Sequence, residues 1–338
     1  MHADVVKIRT EINQTPELQA LDPRDVGVAQ PVRADELVGR VLESAARTQT
    51  DRSNGRETLG LPTGIPGLDR VLNGLSPRGL YILGGAPGAG KTSLSLQMAC
   101  EVAKRAPVLY VTYENAPDNL VLKAICRLAV VQPGAVERGR ADLSKLREGA
   151  AMFSKISSHL QLLEGNSRIT LDTLRTEAEQ IIEKHDGAPC LIVLDYLQRM
   201  AVHQANGSMA DNVSSLSLGL RELASRLNSP ILAISSLSRA GSYDSPTLQG
   251  LQGSEDLEFA ADVVLLLGIR EEVSLSSRAI AKSTAGGRLL DLVVAKNRYG
   301  EAARRIALLF RPTVGDFQED TRSKQRPTLC REMKQLHQ

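Results

Sequence analysis

Short apolar runs recur through the middle of the chain, at 80–83, 108–112, 190–194, 231–234 and 263–267. Each is too short for a helix and shows little polar alternation, the pattern of a strand buried on both faces. Between most of them lie amphipathic stretches, 91–104, 117–131, 171–184 and 213–227, whose apolar positions follow helical spacing. This alternation predicts an α/β fold with a mostly parallel central sheet and helices on both faces. Later in the chain, 289–296 and 303–309 read as a hairpin closed around Tyr299 and Gly300.

The flanks have another texture. Residues 1–33 form a polar arm that Pro16, Pro23 and Pro31 keep from becoming one long helix. In 34–47, Leu37, Val38, Val41 and Leu42 fall on one helical face, which predicts a short amphipathic helix before a polar linker at 48–57. Its apolar stripe needs a partner, either the core of its own chain or a neighbouring subunit. Residues 313–338 are expected to be a polar, mobile tail.

Composition narrows the function classes. A net charge of +2 neither announces nor excludes a nucleic-acid partner. Aromatic residues make up 3% of the chain and Trp is absent, which argues against a surface that stacks many bases. Cys100, Cys126, Cys190 and Cys330 lack paired spacing, and the histidines are scattered, so no Cys/His metal cluster is expected. The beginning of the chain has no apolar signal core, and no run is long enough to span a bilayer. The expectation is a cytoplasmic protein without membrane attachment.

The chemistry centres on Gly85-Ala86-Pro87-Gly88-Ala89-Gly90-Lys91-Thr92-Ser93, which directly follows the first strand and opens a helix. It is the GxxxxGK[ST] pattern of a phosphate-binding P-loop in its required setting. Glycines let backbone N–H groups turn inward around phosphates, and the helix N-terminus favours an anion. Lys91 is expected to reach the β- and γ-phosphates of ATP, and the Thr92 hydroxyl to ligate Mg²⁺. The apolar run 191–194 ends in Asp195, which puts a carboxylate at the same sheet edge as a second metal-holding group. Glu114, just after another strand, can orient the attacking water, or can simply favour the N-terminus of the next helix. Lys296 and Arg298 flank a late turn and suit either a phosphate-contacting finger or a solvated basic hairpin.

These motifs carry a resemblance. Residues 61–312 resemble the ATPase domain of DnaB-type hexameric replicative helicases. The resemblance rests on Pro62-Thr-Gly64 with Gly67-Leu-Asp69, the P-loop, Tyr113-Glu-Asn115, and Leu191-Ile-Val-Leu-Asp195-Tyr-Leu-Gln198. Ile234-Ser-Ser-Leu-Ser-Arg239 and the pair Lys296 and Arg298 complete it. The resemblance implies a RecA-like P-loop core, Mg²⁺-dependent ATP hydrolysis, a hexameric ring and single-stranded DNA as partner, with replication or loading proteins possible. It makes Lys296 and Arg298 fingers into the neighbour's site and the 34–47 helix a linker that docks on the next subunit. The loop residues Ser236, Arg239, Gln252 and Gly253 fall where the family couples ATP to DNA.

The chain also departs from that pattern. The family's separate helical N-terminal domain has no counterpart in residues 1–60, so a primase-docking collar is not expected. Ser236 stands where the family has a glutamine. The loops 203–212 and 240–258 contain no Lys or Arg, and the second carries Asp244, Glu255, Asp256 and Glu258. DNA contact there would rest on backbone N–H groups near Gly207, Gly250 and Gly253, with little counterion release. The rival reading is an ATP-driven switch or assembly factor of the RadA or KaiC kind, acting on a protein. The resemblance extends to both through residues 63–69 and, for RadA, through 296–300.

Overall fold

A computed structural model describes residues 31–55, 57–203, 208–237, 248–251, 254–270 and 287–321. The chain divides into two units, Met1–Leu59 and Gly60–Gln338. In the first, helix α1 (Ala34–Ser53) buries none of its residues. It continues past residue 47 through much of the expected linker. The polar side chains there turn back onto the helix backbone instead of leaving it: Thr50 Oγ1 donates to Ala46 O at 3.0 Å and Ser53 Oγ to Gln49 O at 2.9 Å.

The second unit is built on one sheet. Its strands are β1 (Leu80–Gly85), β2 (Val108–Thr112), β3 (Leu160–Glu164), β4 (Leu191–Asp195), β5 (Ile231–Ser236), β6 (Val263–Ile269), β7 (Arg288–Asn297), β8 (Arg304–Arg311) and β9 (Asp316–Glu319). They lie in the order β3-β2-β4-β5-β1-β6-β7-β8-β9. The first six in that order run parallel, and β7 to β9 extend the sheet antiparallel. The helices are α2 (Pro66–Leu72), α3 (Lys91–Val102), α4 (Pro117–Ala129), α5 (Pro133–Glu137), α6 (Leu143–Ser154), α7 (Leu171–Lys184), α8 (Leu197–His203), α9 (Met209–Arg226) and α10 (Ser254–Ala260).

Alternate residues of each central strand enter opposite cores. Tyr81, Leu83, Tyr110 and Val193 join Leu94, Met98 and Leu120 on one face. Leu80, Ile82, Leu109 and Ile192 join Leu174, Met200, Leu216 and Leu220 on the other. Burial on both sides removes the polar alternation from the sequence and exposes strand ends at only two edges.

Two close approaches fix the frame. The entry turn before α2 is held by Asp69, whose carboxylate accepts from Thr63 N at 2.8 Å and Gly64 N at 3.2 Å. Helix α6 lies so close to α4 that a Cβ on Gly149 would stand 2.7 Å from Ile125 O and 3.0 Å from Ala129 N. Backbone atoms cannot yield as a side-chain tip can. Gly149→Ala is therefore expected to lower stability by about 1–3 kcal/mol, read as a lower urea midpoint.

The stretch expected to be a tail from residue 313 begins with structure. Strand β9 pairs with β8, and Gln97 of α3 clamps it: Gln97 Nε2 donates to Phe317 O at 2.8 Å, while Phe317 N donates to Gln97 Oε1 at 2.9 Å. Phe317 stacks on Phe310 with ring centroids 4.2 Å apart. The core thus runs to about residue 320; 322–338 lie outside the described residues.

Candidate active site

Parallel strands bring their carboxyl ends to one edge, and the sequence motifs meet there. Gly85, the last residue of β1, pairs with Ser236 of β5, and Thr112 of β2 pairs with Asp195 of β4. The P-loop turns from β1 into α3. Gly88 and Gly90 have φ of 75° and 101°, conformations that side chains disfavour. At Gly90 a Cβ would also stand 2.9 Å from the Phe310 and Phe317 rings, so the aromatic pair from β8 and β9 supports the loop from beneath.

Lys91 lies inside this turn, its Nζ donating to Gly85 O at 2.7 Å and Ala86 O at 3.1 Å. Among the described residues no carboxylate stands at ion-pair distance from it. Burial lowers its pKa, while the negative charges of Asp195 and Glu114 raise it, so all three groups share one field. Asp195 is 1% exposed. Burial pushes its carboxyl above the usual range; hydrogen bonds from Thr92 and Tyr110 and the Lys91 charge oppose this, and Glu114 adds to it. The peptide after Asp195 is cis.

Glu114 is exposed on a fixed turn. Asn115 N donates to Thr112 Oγ1 at 3.1 Å, Thr112 Oγ1 donates to Asn115 O at 2.8 Å, and Tyr113 N donates to Asp195 O at 2.7 Å. A basic loop, a hydroxyl, a buried carboxylate and an exposed one therefore occupy one sheet edge. The donor set suits a nucleotide phosphate with a hard divalent cation: an ammonium with turned-in amides for the anion, and Thr92 with Asp195 as oxygen ligands.

Neighbouring contacts were not legible from the motifs alone. The Tyr110 hydroxyl lies between Ser95 Oγ at 2.9 Å and Asp195 Oδ2 at 3.1 Å. Burial and the Asp195 charge drive its pKa far upward, so the phenol keeps its proton. Gln198 Nε2 donates to Ser235 Oγ at 2.8 Å, and Ser236 N donates to Gln198 Oε1 at 3.3 Å. Ser236 thus sits between Gly85 and the Gln198 amide. Arg239, Gln252 and Gly253 lie outside the described residues.

Lys296 and Arg298 are elsewhere. Asn297 pairs with Val263, and Val263 with Tyr81, four residues before Gly85. Roughly 13 Å of strand rise and two strand spacings thus separate the hairpin from the P-loop of its own chain. Both cations instead bind the end of α10: Lys296 Nζ donates to Glu258 O, and Arg298 donates to Phe259 O at 2.6 Å. Asp262, 1% exposed, accepts from Arg221 and from Leu80 N at 2.9 Å, and lies 3.7 Å from Arg298.

Fold and edge together define a P-loop α/β domain of the RecA-like kind. More narrowly, residues 60–319 match the model of the DnaB-like helicase C terminal domain, and the chain belongs to that family. The replicative DNA helicase DnaB of Rickettsia bellii is 26% identical over 293 residues, 77% of this chain and 58% of that protein. Its counterpart in Helicobacter pylori strain 26695 is 28% identical over 236 residues, 68% of this chain and 48% of that protein. The chain therefore spans about half the length of these curated relatives.

Among solved structures, a DnaB-like replicative helicase, described with its interactions with primase, superposes with a TM-score of 0.69 at 22% identity, covering 86% of this chain and 67% of that one. A KaiC-like protein of Pyrococcus horikoshii gives 0.50 at 15% identity, covering 76% and 97%. Both establish shared fold. The family match favours the DnaB-like reading over the RadA or KaiC switch. Among the described residues, no helix is long and apolar enough to cross a membrane.

Proposed function

We propose that this chain is an ATP-hydrolysing motor domain that works as a ring, hexameric as in the family, on single-stranded DNA, in the cytoplasm. The observation that carries the reading is the division of its cationic chemistry between two sheet edges. The P-loop, Thr92, Asp195 and Glu114 share the carboxyl edge, whereas Lys296 and Arg298 lie at the other end of the strands and outside reach of that site. A head-to-tail assembly brings the basic hairpin of one subunit to the nucleotide of the next, and closing it gives a ring. Helix α1, with exposed Val38, Val41 and Leu42, supplies an apolar stripe for the neighbouring subunit.

In this reading the amides of 85–93 bind the phosphates of ATP. Lys91 exchanges its two carbonyl acceptors for β- and γ-phosphate oxygens. Thr92 and Asp195 would hold Mg²⁺, which when bound neutralises charge on those oxygens. Glu114 accepts a hydrogen bond from the attacking water and aligns it. Arg298 of the neighbour, with Lys296, meets the negative charge that develops as the γ-phosphoryl group leaves. Ser236 and Gln198 stand beside the P-loop strand, and Arg239, Gln252 and Gly253 are candidate contacts.

The test is ATP turnover with and without single-stranded DNA across a salt series. Stimulation by the strand is expected, with modest affinity and a shallow salt slope, because the candidate loops lack cations. A steep slope would move the contact to basic residues outside those loops, such as Arg239, the C-terminal tail or exposed Arg199. No stimulation and no binding at low salt would overturn DNA as the partner.

A further inference from the structure

A hydrogen-bonded circuit ties the P-loop helix to the metal-holding strand. Ser95 Oγ, one turn after Thr92 on α3, contacts Thr92 O at 3.1 Å and the Tyr110 hydroxyl at 2.9 Å. Tyr110, on β2, reaches Asp195 Oδ2 at 3.1 Å. The Thr92 hydroxyl acts on the same carboxylate, lowering its pKa against the effect of burial. Ser95 and Tyr110 are fully buried and Asp195 nearly so, so water has no access to replace a missing partner.

The proton order follows from the groups present. An ionised Asp195 only accepts, so the single phenolic hydrogen of Tyr110 points to Oδ2, and the single Ser95 hydrogen is shared between Thr92 O and the phenol oxygen. Packing alone does not call for the hydroxyl. The ring lies in the apolar core with Val108, Leu120 and Ala124, where a Phe of the same shape would fit.

We propose that Tyr110 is a positioning residue for the metal site: its hydroxyl occupies one oxygen of Asp195 and aims the carboxylate at the cation shared with Thr92. The proposal rests on the reading of Thr92 and Asp195 as Mg²⁺ ligands. Groups that orient a ligand typically carry 10–100-fold of metal affinity when removed. The circuit also joins three elements at the site: α3 through Ser95, β2 through Tyr110 and β4 through Asp195.

The test separates metal from nucleotide. Binding of a fluorescent, non-hydrolysable ATP analogue is titrated in EDTA and in Mg²⁺, and the ratio of the two dissociation constants is compared between wild type and Tyr110→Phe. Expected is an unchanged affinity in EDTA and a Mg²⁺ enhancement reduced roughly tenfold, with the Mg²⁺ requirement shifted upward to match. An unchanged enhancement in a folded Tyr110→Phe protein overturns the proposal, as does an equal loss of affinity with and without Mg²⁺, which marks a packing role. Ser95→Ala, which keeps the Tyr110–Asp195 bond and removes its buttress, is expected to reduce the enhancement in the same direction by about threefold. It carries the test if Tyr110→Phe does not fold, and an unchanged enhancement there overturns the proposal. Wild type with no Mg²⁺ enhancement at all instead refutes the metal-site reading itself.

Discussion

Glu114→Gln is expected to bind ATP with unchanged or slightly higher affinity and to hydrolyse it about 10²–10⁴-fold more slowly. The amide keeps the size of the side chain and can still face a water, but it no longer accepts a proton. The charge of Glu114 acts on both Lys91 and Asp195, which places the carboxylate in the field of the phosphate site. Removing a negative charge from that field favours an anionic ligand, hence the direction expected for binding. The bland explanation of Glu114 as a helix-favouring acid makes a different forecast. Helix α4 starts at Pro117 with Ala116 as its cap and already has Asp118 in its first turn. A macrodipole contribution from Glu114, outside that turn, would be at most about 0.3–1 kcal/mol of stability and would leave turnover alone. Single-turnover hydrolysis with a separate binding titration distinguishes the two, and a wild-type rate in the variant overturns the catalytic role.

Legibility followed burial and local chemistry. The five central strands and the P-loop could be read because strands buried on two faces are uninterrupted apolar runs and because the glycines have a backbone reason to be there. Strand β3 does not announce itself in the sequence: Leu-Gln-Leu-Leu-Glu lies at the sheet edge and buries only its first residue fully. Strand β9 has one apolar anchor, Phe317, and owes its place to the Gln97 clamp from 220 residues away, a contact no local pattern announces. The 48–53 part of α1 looks like a linker in the sequence because Thr and Ser suit turns and helix ends, yet here they bond back to carbonyls one turn earlier. At the site, residue types at motif spacing point to Lys91, Thr92, Asp195 and Glu114 as candidates, and the fold brings them to one sheet edge. Tyr110 was hidden, since within a strand it reads as one more apolar residue, and only the fold brings its hydroxyl to Asp195. The link between Arg298, Phe259 and Asp262 was hidden for the same reason.

Arg298→Ala is expected to retain nucleotide binding and lose about 10³–10⁵-fold in turnover, the scale of a finger that meets transition-state charge. Lys91→Ala, which empties the phosphate cradle of its ammonium, is expected to abolish turnover. The two defects sit at opposite ends of the strands, so in a head-to-tail ring they fall on opposite sides of each interface. Co-assembly of the inactive variants in equal amounts then rebuilds about a quarter of the interfaces with an intact Lys91 facing an intact Arg298. For sites that fire independently, turnover should recover to about that fraction of wild type, while each variant alone stays inactive. Arg298 does have a role within its own subunit, holding Phe259 O and lying beside Asp262. A purely structural loss there would lower the thermal midpoint and would not be rescued by a Lys91→Ala partner. The measurement is ATPase activity after verified subunit exchange, with melting curves of each variant. No recovery despite mixing overturns a finger supplied between independently firing sites, and full activity of a monomer at working concentration removes the shared site altogether.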